Sequence, residues 1–246
     1  MTVKSGWIGC AALCGWLLAG QAVADCTPAP TAHEVDFSLC KDWPAYPGLT
    51  LTAAANFSPD PVYGESGTVG LYDLRLALVA SADSKPLASF YRPSAFSVDA
   101  IALDELKFDT ARYKLTPQLQ AFGVRVRFKG SSRVNPLDET WLSLYVKDGN
   151  ALRPVMDRLV VYEYGGEWDG NCAGERYETT RTVALAKTSS HGYADLMIKT
   201  IRSSTVGEGE GEGEACVSNT VTQKPVLTTL RYDGKSYVMP EDFKGY

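Results

Sequence analysis

Residues 122–129 read Phe-Gly-Val-Arg-Val-Arg-Phe-Lys, and this stretch decides the fold class. Its apolar side chains recur at every second position and its cations fill positions between them: Phe122, Val124, Val126 and Phe128 against Arg125, Arg127 and Lys129. Alternation with period two is typical of a strand with one buried face. The same pattern returns at 72–80, 142–146, 177–185 and 196–199. The sequence therefore predicts an all-β fold, either an antiparallel sandwich or a curved sheet with hairpins.

Turn signals and the shortage of helical periodicity agree with this fold class. Further strands are expected at 49–55, 87–92, 101–108 and 159–164. Asp233-Gly234 lies between two strand-like runs, residues 227–232 and 235–239, and predicts a two-residue type I′ hairpin. A single short helical turn is expected near residues 115–122. Many short strands separated by turns favour a sandwich or a curved sheet.

The first 24 residues have the form of a secretory signal peptide. Lys4 supplies a positive start, residues 7–20 are apolar, and Gln21-Ala22-Val23-Ala24 is a small-residue cleavage site. We expect cleavage after Ala24 and export from the cytoplasm. No later stretch approaches the length of apolar sequence that a membrane helix needs, so no membrane span is expected.

The cysteines that remain after cleavage predict two disulfides. Two of the six cysteines fall in the signal peptide, which leaves Cys26, Cys40, Cys172 and Cys216. Four cysteines allow three pairings, and we expect the two local ones, Cys26–Cys40 and Cys172–Cys216. A zinc site is the alternative. The absence of any C-x-x-C pair and the oxidising compartment both favour disulfides.

The mature chain divides into an extended N-terminal segment, residues 25–48, and one β domain, residues 49–246. The segment is rich in proline, and the domain contains a low-complexity run, Gly-Glu-Gly-Glu-Gly-Glu-Gly-Glu, at residues 207–214. Four glycines and four repelling carboxylates predict a flexible, solvated acidic loop. Calcium binding and electrostatic steering of a basic partner are alternative roles for this loop.

Signatures of catalysis and of nucleic-acid binding are missing. Ser190, His191 and Asp195 suggest a catalytic relay, but a serine adjacent to its own histidine points away from it. No nucleophile elbow or zinc-protease motif occurs. We therefore predict no catalytic residue, no metal site and no cofactor, and a protein that is not an enzyme. The formal net charge of −5, without a basic footprint, argues against nucleic acid as a partner.

Another protein is the expected partner. Arginine, tyrosine and tryptophan are preferred at protein interfaces. The predicted partner-binding residues are Arg125, Arg127, Arg133, Tyr63 and Tyr91, together with the loop carboxylates Glu208, Glu210, Glu212 and Glu214. The alternative for the arginine stripe is an ordinary solvated sheet face in which arginines pair with neighbouring acids.

Two segments resemble those of small exported proteins of Gram-negative bacteria: FGVRVRFKGSSRVNP at 122–136 and LRYDGKSYVM at 230–239. Such proteins include periplasmic immunity proteins that neutralise type VI secretion effectors, among them lipases of the phospholipase D kind. The resemblance implies a protein that binds an incoming toxin in the periplasm and covers its active site. We expect a periplasmic protein-binding inhibitor, with an exported hydrolase or a structural envelope protein as the alternatives.

Overall fold

A computed structural model describes residues 26–63, 68–208 and 216–245. The predicted signal peptide, residues 1–24, lies outside the described residues. Among those that are described, no helix is long and apolar enough to cross a membrane. The described residues form twelve strands and a short 3-10 helix, Glu241–Phe243. In chain order the strands are β1 Phe37–Asp42, β2 Leu49–Pro59, β3 Gly70–Ala80, β4 Pro86–Val98, β5 Ile101–Lys114, β6 Gln120–Gly130, β7 Leu137–Asp148, β8 Ala151–Trp168, β9 Gly174–Ser190, β10 Tyr193–Glu208, β11 Val217–Thr222 and β12 Val226–Leu230.

All twelve strands belong to one sheet, which confirms the predicted fold class. The order along the main path is β1-β2-β3-β4-β8-β7-β6-β5. Strand β9 pairs with β8 and β10, and β10 also pairs with β11 and β12. Every pairing is antiparallel except that of β4 with β8, which consists of the single residue pair Ser89 and Ala151.

The centre of the sheet is buried on both faces by two apolar clusters. The first cluster joins β2, β3, β4 and β5 to β6, and the second joins β7 and β8 to β10 and the C-terminal residues. Strand β7 contributes to both, because residues Trp141–Val146 are all buried. Trp141 and Tyr145 enter the first cluster, whereas Leu142, Leu144 and Val146 enter the second. A strand covered on both faces reads as a continuous apolar run rather than as an alternation.

Aromatic contacts centred on Phe122 hold the first cluster together. This side chain is fully buried, and its ring centroid lies 5.3 Å from that of Trp43 and 6.0 Å from that of Phe108. The Tyr145 ring stacks on it at 5.7 Å. The burial of Phe122 and of the apolar residues that alternate with it follows the sequence prediction for β6.

Part of the N-terminal segment, Phe37–Asp42, joins the sheet as strand β1. Strand β1 pairs with β2 in continuous register from Phe37 opposite Ala55 to Asp42 opposite Thr50. Trp43, which follows β1, is only 2% exposed. The sheet therefore begins at Phe37, because the backbone groups of β1 pair with β2 and the Trp43 ring is buried inside the domain.

Two local predictions about turns are wrong. The predicted two-residue hairpin at Asp233-Gly234 is a four-residue turn, in which Asp233 Oδ1 accepts the backbone N–H groups of Lys235 and Ser236 at 2.8 Å each. The residues on either side of the turn share a single β-bridge, between Tyr232 and Tyr237. They do not form a longer hairpin because β12, which precedes the turn, pairs with β10.

The short helical turn expected near residues 115–122 does not form either. Thr116 Oγ1 accepts the N–H groups of Gln118 and Leu119 at 3.2 and 3.0 Å. This side-chain-bonded turn leads directly into β6, which begins at Gln120. Threonine side chains commonly compete with helix formation in this way.

Both predicted disulfides are confirmed. Cys26 bonds to Cys40 in β1, and Cys172, in the β8–β9 connection, bonds to Cys216 just before β11. The zinc alternative is therefore wrong, since all four thiols are used in covalent bonds. The first two residues of the predicted acidic loop, Gly207 and Glu208, belong to β10 and pair with β9 or β11. The other loop carboxylates, Glu210, Glu212 and Glu214, lie outside the described residues.

Replacing Leu144 with alanine tests the two-sided burial of β7. Leu144 is fully buried, so Leu144→Ala should lower the free energy of unfolding by about 2–5 kcal/mol in urea titrations with the disulfides intact. Leu71→Ala is the matched control on β3, where the side chain is 41% exposed, and should cost less than about 1 kcal/mol. Equal losses in the two variants would contradict the burial assigned to β7.

Candidate partner-binding surface

Arg125, a predicted partner-binding residue, is held by an acid on the neighbouring strand. Its Nε and Nη2 atoms lie 2.8 and 2.7 Å from Asp109 Oδ2. The same carboxylate accepts the Tyr113 hydroxyl at 2.9 Å and, through Oδ1, the Ala111 N–H at 3.0 Å. These contacts use the β5 irregularity between Asp109 and Tyr113, which turns several donors toward one carboxylate.

Arg127, two residues further along β6, is engaged by two acids. Its Nε donates to Asp138 Oδ1 at 2.8 Å, its Nη2 pairs with Asp138 Oδ2, and its Nη1 lies 3.2 Å from Asp104 Oδ2. The structure therefore places Arg125 and Arg127 within ion pairs on the sheet face, as in the alternative interpretation of the arginine stripe. Both guanidinium groups are partly exposed and are already paired with acids of the same molecule.

Asp109 titrates abnormally because of its neighbours. Burial alone would raise its pKa, but the hydrogen bonds from the Ala111 N–H and the Arg125 guanidinium outweigh burial, and the pKa of Asp109 is lowered. A lowered pKa in the folded state means that this carboxylate stabilises the fold when it is ionised.

Tyr91, by contrast, is exposed and fixed in place. It lies opposite Arg75 in the β3–β4 pairing, and the Arg75 guanidinium carbon sits 4.1 Å from the centroid of its ring. The Tyr91 hydroxyl donates to Asp73 Oδ2 at 2.6 Å, and the Ser94 N–H donates to Asp73 Oδ1 at 2.8 Å. Nearly half of the Tyr91 side chain nevertheless remains accessible, with 48% exposure.

A β-bulge explains this arrangement. The β3–β4 register shifts between Tyr72 and Leu74, and Ser94 adopts a left-handed backbone conformation with φ of 47°. The bulge turns the Ser94 N–H toward Asp73, whose other oxygen then orients the Tyr91 hydroxyl. The hydrogen bond from Tyr91 lowers the pKa of Asp73 and raises the pKa of Tyr91. The pair thus stays hydrogen-bonded at neutral pH, with Asp73 ionised and Tyr91 protonated.

A groove of about 390 Å³ borders this tyrosine. Tyr91 and Arg75 form one part of its wall, and the chain around the first disulfide forms another through Thr27, Ala29 and Cys40. We call Asp73, Arg75, Tyr91, Ser94 and this groove the Tyr91 surface. It combines an immobilised aromatic ring, a cation and an adjacent apolar depression, which is the composition of interface hot spots.

The other predicted partner-binding residues are spread over the molecule. Tyr63 is 74% exposed on a turn in which Asp60 Oδ1 accepts the N–H groups of Val62 and Tyr63 at 2.8 Å each. Arg133 is exposed in the β6–β7 connection, and Glu208 is exposed at the end of β10. The structure brings Tyr91, from the predicted set, into an organised surface with Arg75 and Asp73.

His191 is not assembled into a catalytic relay. Its Nδ1–H donates to the Tyr232 carbonyl at 2.8 Å, and the residue occupies the β9–β10 turn with φ of 48°. Asp195 instead accepts the Thr188 hydroxyl at 2.6 Å. The histidine thus fixes a turn against the segment that follows β12.

Sequence reasoning missed one pair of carboxylates. Glu139 of β7 lies directly opposite Glu163 of β8, and the Trp141 indole N–H donates to Glu139. Burial raises the pKa of Glu139, and the charge of Glu163 adds to the increase against the opposing effect of the Trp141 hydrogen bond. Like charges opposite each other are unfavourable in a sheet, so this pair is a local exception. Only the strand register reveals it, because the two residues are far apart in sequence.

Comparison of the chain with protein-family models, with curated proteins and with solved structures gave no significant match. The resemblance of residues 122–136 and 230–239 to periplasmic immunity proteins accordingly stays a prediction.

Replacing Asp109 with asparagine tests the ion pair that holds Arg125. Asp109 has a lowered pKa in the folded state, so its contribution to stability is fully present above the unfolded-state pKa of about 3.9 and is lost as pH falls through the folded-state value. Stability of Asp109→Asn, measured by urea unfolding between pH 2 and 7, should therefore depend less on pH in the acid range. Glu34→Gln, at an exposed acid, is the control and should keep the full slope. An unchanged slope in Asp109→Asn would exclude this role.

Proposed function

We propose that this protein is exported to the periplasm and acts there as a protein-binding inhibitor. It binds a secreted toxin in a one-to-one complex and covers the toxin's active site, as an immunity protein does. The observation that carries this proposal is the Tyr91 surface, where an exposed ring is held rigidly between Arg75 and Asp73.

The Tyr91 surface suits protein recognition because little entropy is lost when a partner covers it. Tyr91 is already fixed by a hydrogen bond and a stacked guanidinium, so its side chain need not be ordered on binding. The first disulfide lines the adjacent groove through Cys40 and limits movement of its wall. Preorganised aromatic and arginine contacts of this kind dominate the energy of many interfaces.

Export is supported by the cysteine chemistry and by the sequence of residues 1–24. Two disulfides are typical of proteins in oxidising compartments, where thiols are not kept reduced. The resemblance to periplasmic immunity proteins supports the same compartment.

A hydrolase is the second candidate, and one observation favours it. Glu139 and Glu163 form a cross-strand carboxylate pair, and the pKa of Glu139 is raised mainly by burial. A carboxyl group whose pKa is raised by burial and that lies beside a second carboxylate is common equipment of general acid–base catalysis. Substrate turnover by the mature chain distinguishes a hydrolase from an inhibitor.

Mature protein immobilised on a resin should capture a secreted protein from periplasmic or secreted extracts. That protein, identified by mass spectrometry and purified, should lose its activity when mixed with one equivalent of the inhibitor. Tyr91→Ala should weaken the complex by at least about tenfold in a binding titration. Tyr177→Ala is the matched control, because Tyr177 is similarly exposed, at 46%, but lies on β9.

If the mature chain inhibits none of the captured proteins, the proposed inhibitory function is excluded. Turnover of chromogenic ester or glycoside substrates by the mature chain, abolished in Glu139→Gln, would favour the hydrolase instead. An inhibited partner that binds Tyr91→Ala and wild type equally would locate the interface away from the Tyr91 surface.

Export makes a separate prediction about the N-terminus. When the full chain is expressed in a Gram-negative host, the protein released by osmotic shock should begin at Asp25, and its intact mass should include two disulfides. Changing Ala22 and Ala24 to bulky residues should leave an uncleaved precursor. Mature-sized protein confined to the cytoplasmic fraction would contradict export.

A further inference from the structure

A second cleft, of about 580 Å³, lies between the β6–β7 and β8–β9 connections. Three cations, two aromatic residues and one acid contribute to its walls: Lys129, Arg133, Arg176, Tyr164, Trp168 and Asp138. We call this the basic cleft. It is formed from other strands than the Tyr91 surface, which belongs to β1, β2, β3 and β4.

The walls of the basic cleft are held in place by Trp168 at the end of β8. Its backbone N–H donates to the Val134 carbonyl at 2.7 Å, which joins the two connections. Its indole packs so closely on β9 that a Cβ atom at Gly174 would come within 2.7 Å of Cε3, and it also packs against Gly207 of β10. The Cys172–Cys216 disulfide fixes the β8–β9 connection behind the indole.

The three cations have no acidic partner among the described residues. Elsewhere in the described chain five arginines form ion pairs: Arg92, Arg125, Arg127, Arg153 and Arg202. Lys129 and Arg133 are exposed, and Arg176 stacks on Trp168 with its guanidinium carbon 3.8 Å from the ring centroid. The Nε–H of Arg176 is buried and lacks an acceptor. A net acidic protein thus keeps three uncompensated positive charges around one cleft.

The acid in the wall does not neutralise them. Both oxygens of Asp138 are bound by Arg127, which is not one of the cleft's lining residues. Ser132 in the β6–β7 connection uses its Oγ to accept the Asn135 N–H at 2.9 Å, which leaves its hydroxyl proton free to donate. The cleft therefore presents donors and positive charge, with Tyr164 and Trp168 as its apolar walls.

We propose that the basic cleft binds a phosphate monoester, with the phosphoryl group among Lys129, Arg133 and Arg176 and the organic part against Tyr164. A phosphate monoester carries nearly two negative charges at neutral pH and offers three terminal oxygens. Three separate cations match this group better than a carboxylate, which has one charge and two oxygens. The soluble esters of small molecules and the headgroup of a phospholipid monoester share this chemistry.

Calorimetric titration of the mature protein distinguishes these ligands. The probes are inorganic phosphate, phenyl phosphate, benzoate, and vesicles of phosphatidylcholine with and without phosphatidic acid. Phenyl phosphate should bind more tightly than inorganic phosphate, because its ring gains contact with Tyr164, and benzoate should bind at least about tenfold more weakly. Added salt should weaken binding.

Variants locate the site. Lys129→Gln and Arg133→Gln remove exposed side chains, so folding should be unaffected, and each should weaken phenyl phosphate binding by about tenfold. Arg112→Gln is the matched control, because it removes one exposed arginine on β5 and changes the net charge equally. Circular dichroism spectra of all three variants should match the wild type.

Each result of the titrations either supports or overturns the phosphate monoester site. Binding of soluble monoesters supports the proposal with a small molecule as ligand, and binding only to phosphatidic acid vesicles supports it with a lipid headgroup. Equal binding of benzoate and phenyl phosphate overturns the phosphoryl assignment. No binding of any probe at millimolar concentration, or equal binding by wild type, Lys129→Gln and Arg133→Gln, overturns the site. These results do not depend on protein capture through the Tyr91 surface.

Discussion

Six consecutive residues of β7, Trp141–Val146, are removed from water on both faces of the strand. Their apolar side chains are shared between two clusters, with Trp141 and Tyr145 in the first and Leu142, Leu144 and Val146 in the second. The strand therefore links the two clusters. Both clusters depend on the register of β7, since a slip of one residue would exchange the side chains that face the two clusters. One cluster contains the aromatic contacts of Phe122, and the other contains the packing of β10 and the C-terminal residues.

Each of the two candidate surfaces is next to a disulfide. Cys26–Cys40 borders the groove of the Tyr91 surface, and Cys172–Cys216 fixes the connection behind the basic cleft. The covalent bonds thus restrain peripheral segments that have few apolar contacts of their own. Rigid peripheral segments reduce the entropy lost on binding, which is what a recognition protein requires. Arg125 and Arg127 of β6, by contrast, form ion pairs with acids of neighbouring strands.

The sequence predicted those features that depend on local pattern. The alternation in β6 predicted its buried face, and the two cysteine pairs followed from spacing and compartment. Asp233-Gly234 was misinterpreted because the strand before it pairs with β10, far away in sequence. Tyr91 could be chosen as exposed, but its contacts with Asp73 and Arg75 depend on a bulge. Two further features could not be predicted: the pairing of Glu139 with Glu163, and the placement of Lys129, Arg133 and Arg176 around one cleft. Both depend on strand register across the sheet, which no single segment of the sequence specifies.

The packing of Trp168 carries an evolutionary consequence. Its indole fits only because β9 and β10 offer no side chain at Gly174 and Gly207, and its stacked partner Arg176 is held by the same ring. A Cβ atom at Gly174 or Gly207 would also meet the backbone oxygen of Glu167 or of Cys172, so removal of the indole alone would not make room for a larger residue. Relatives of this chain that keep this packing should therefore retain glycine at both positions.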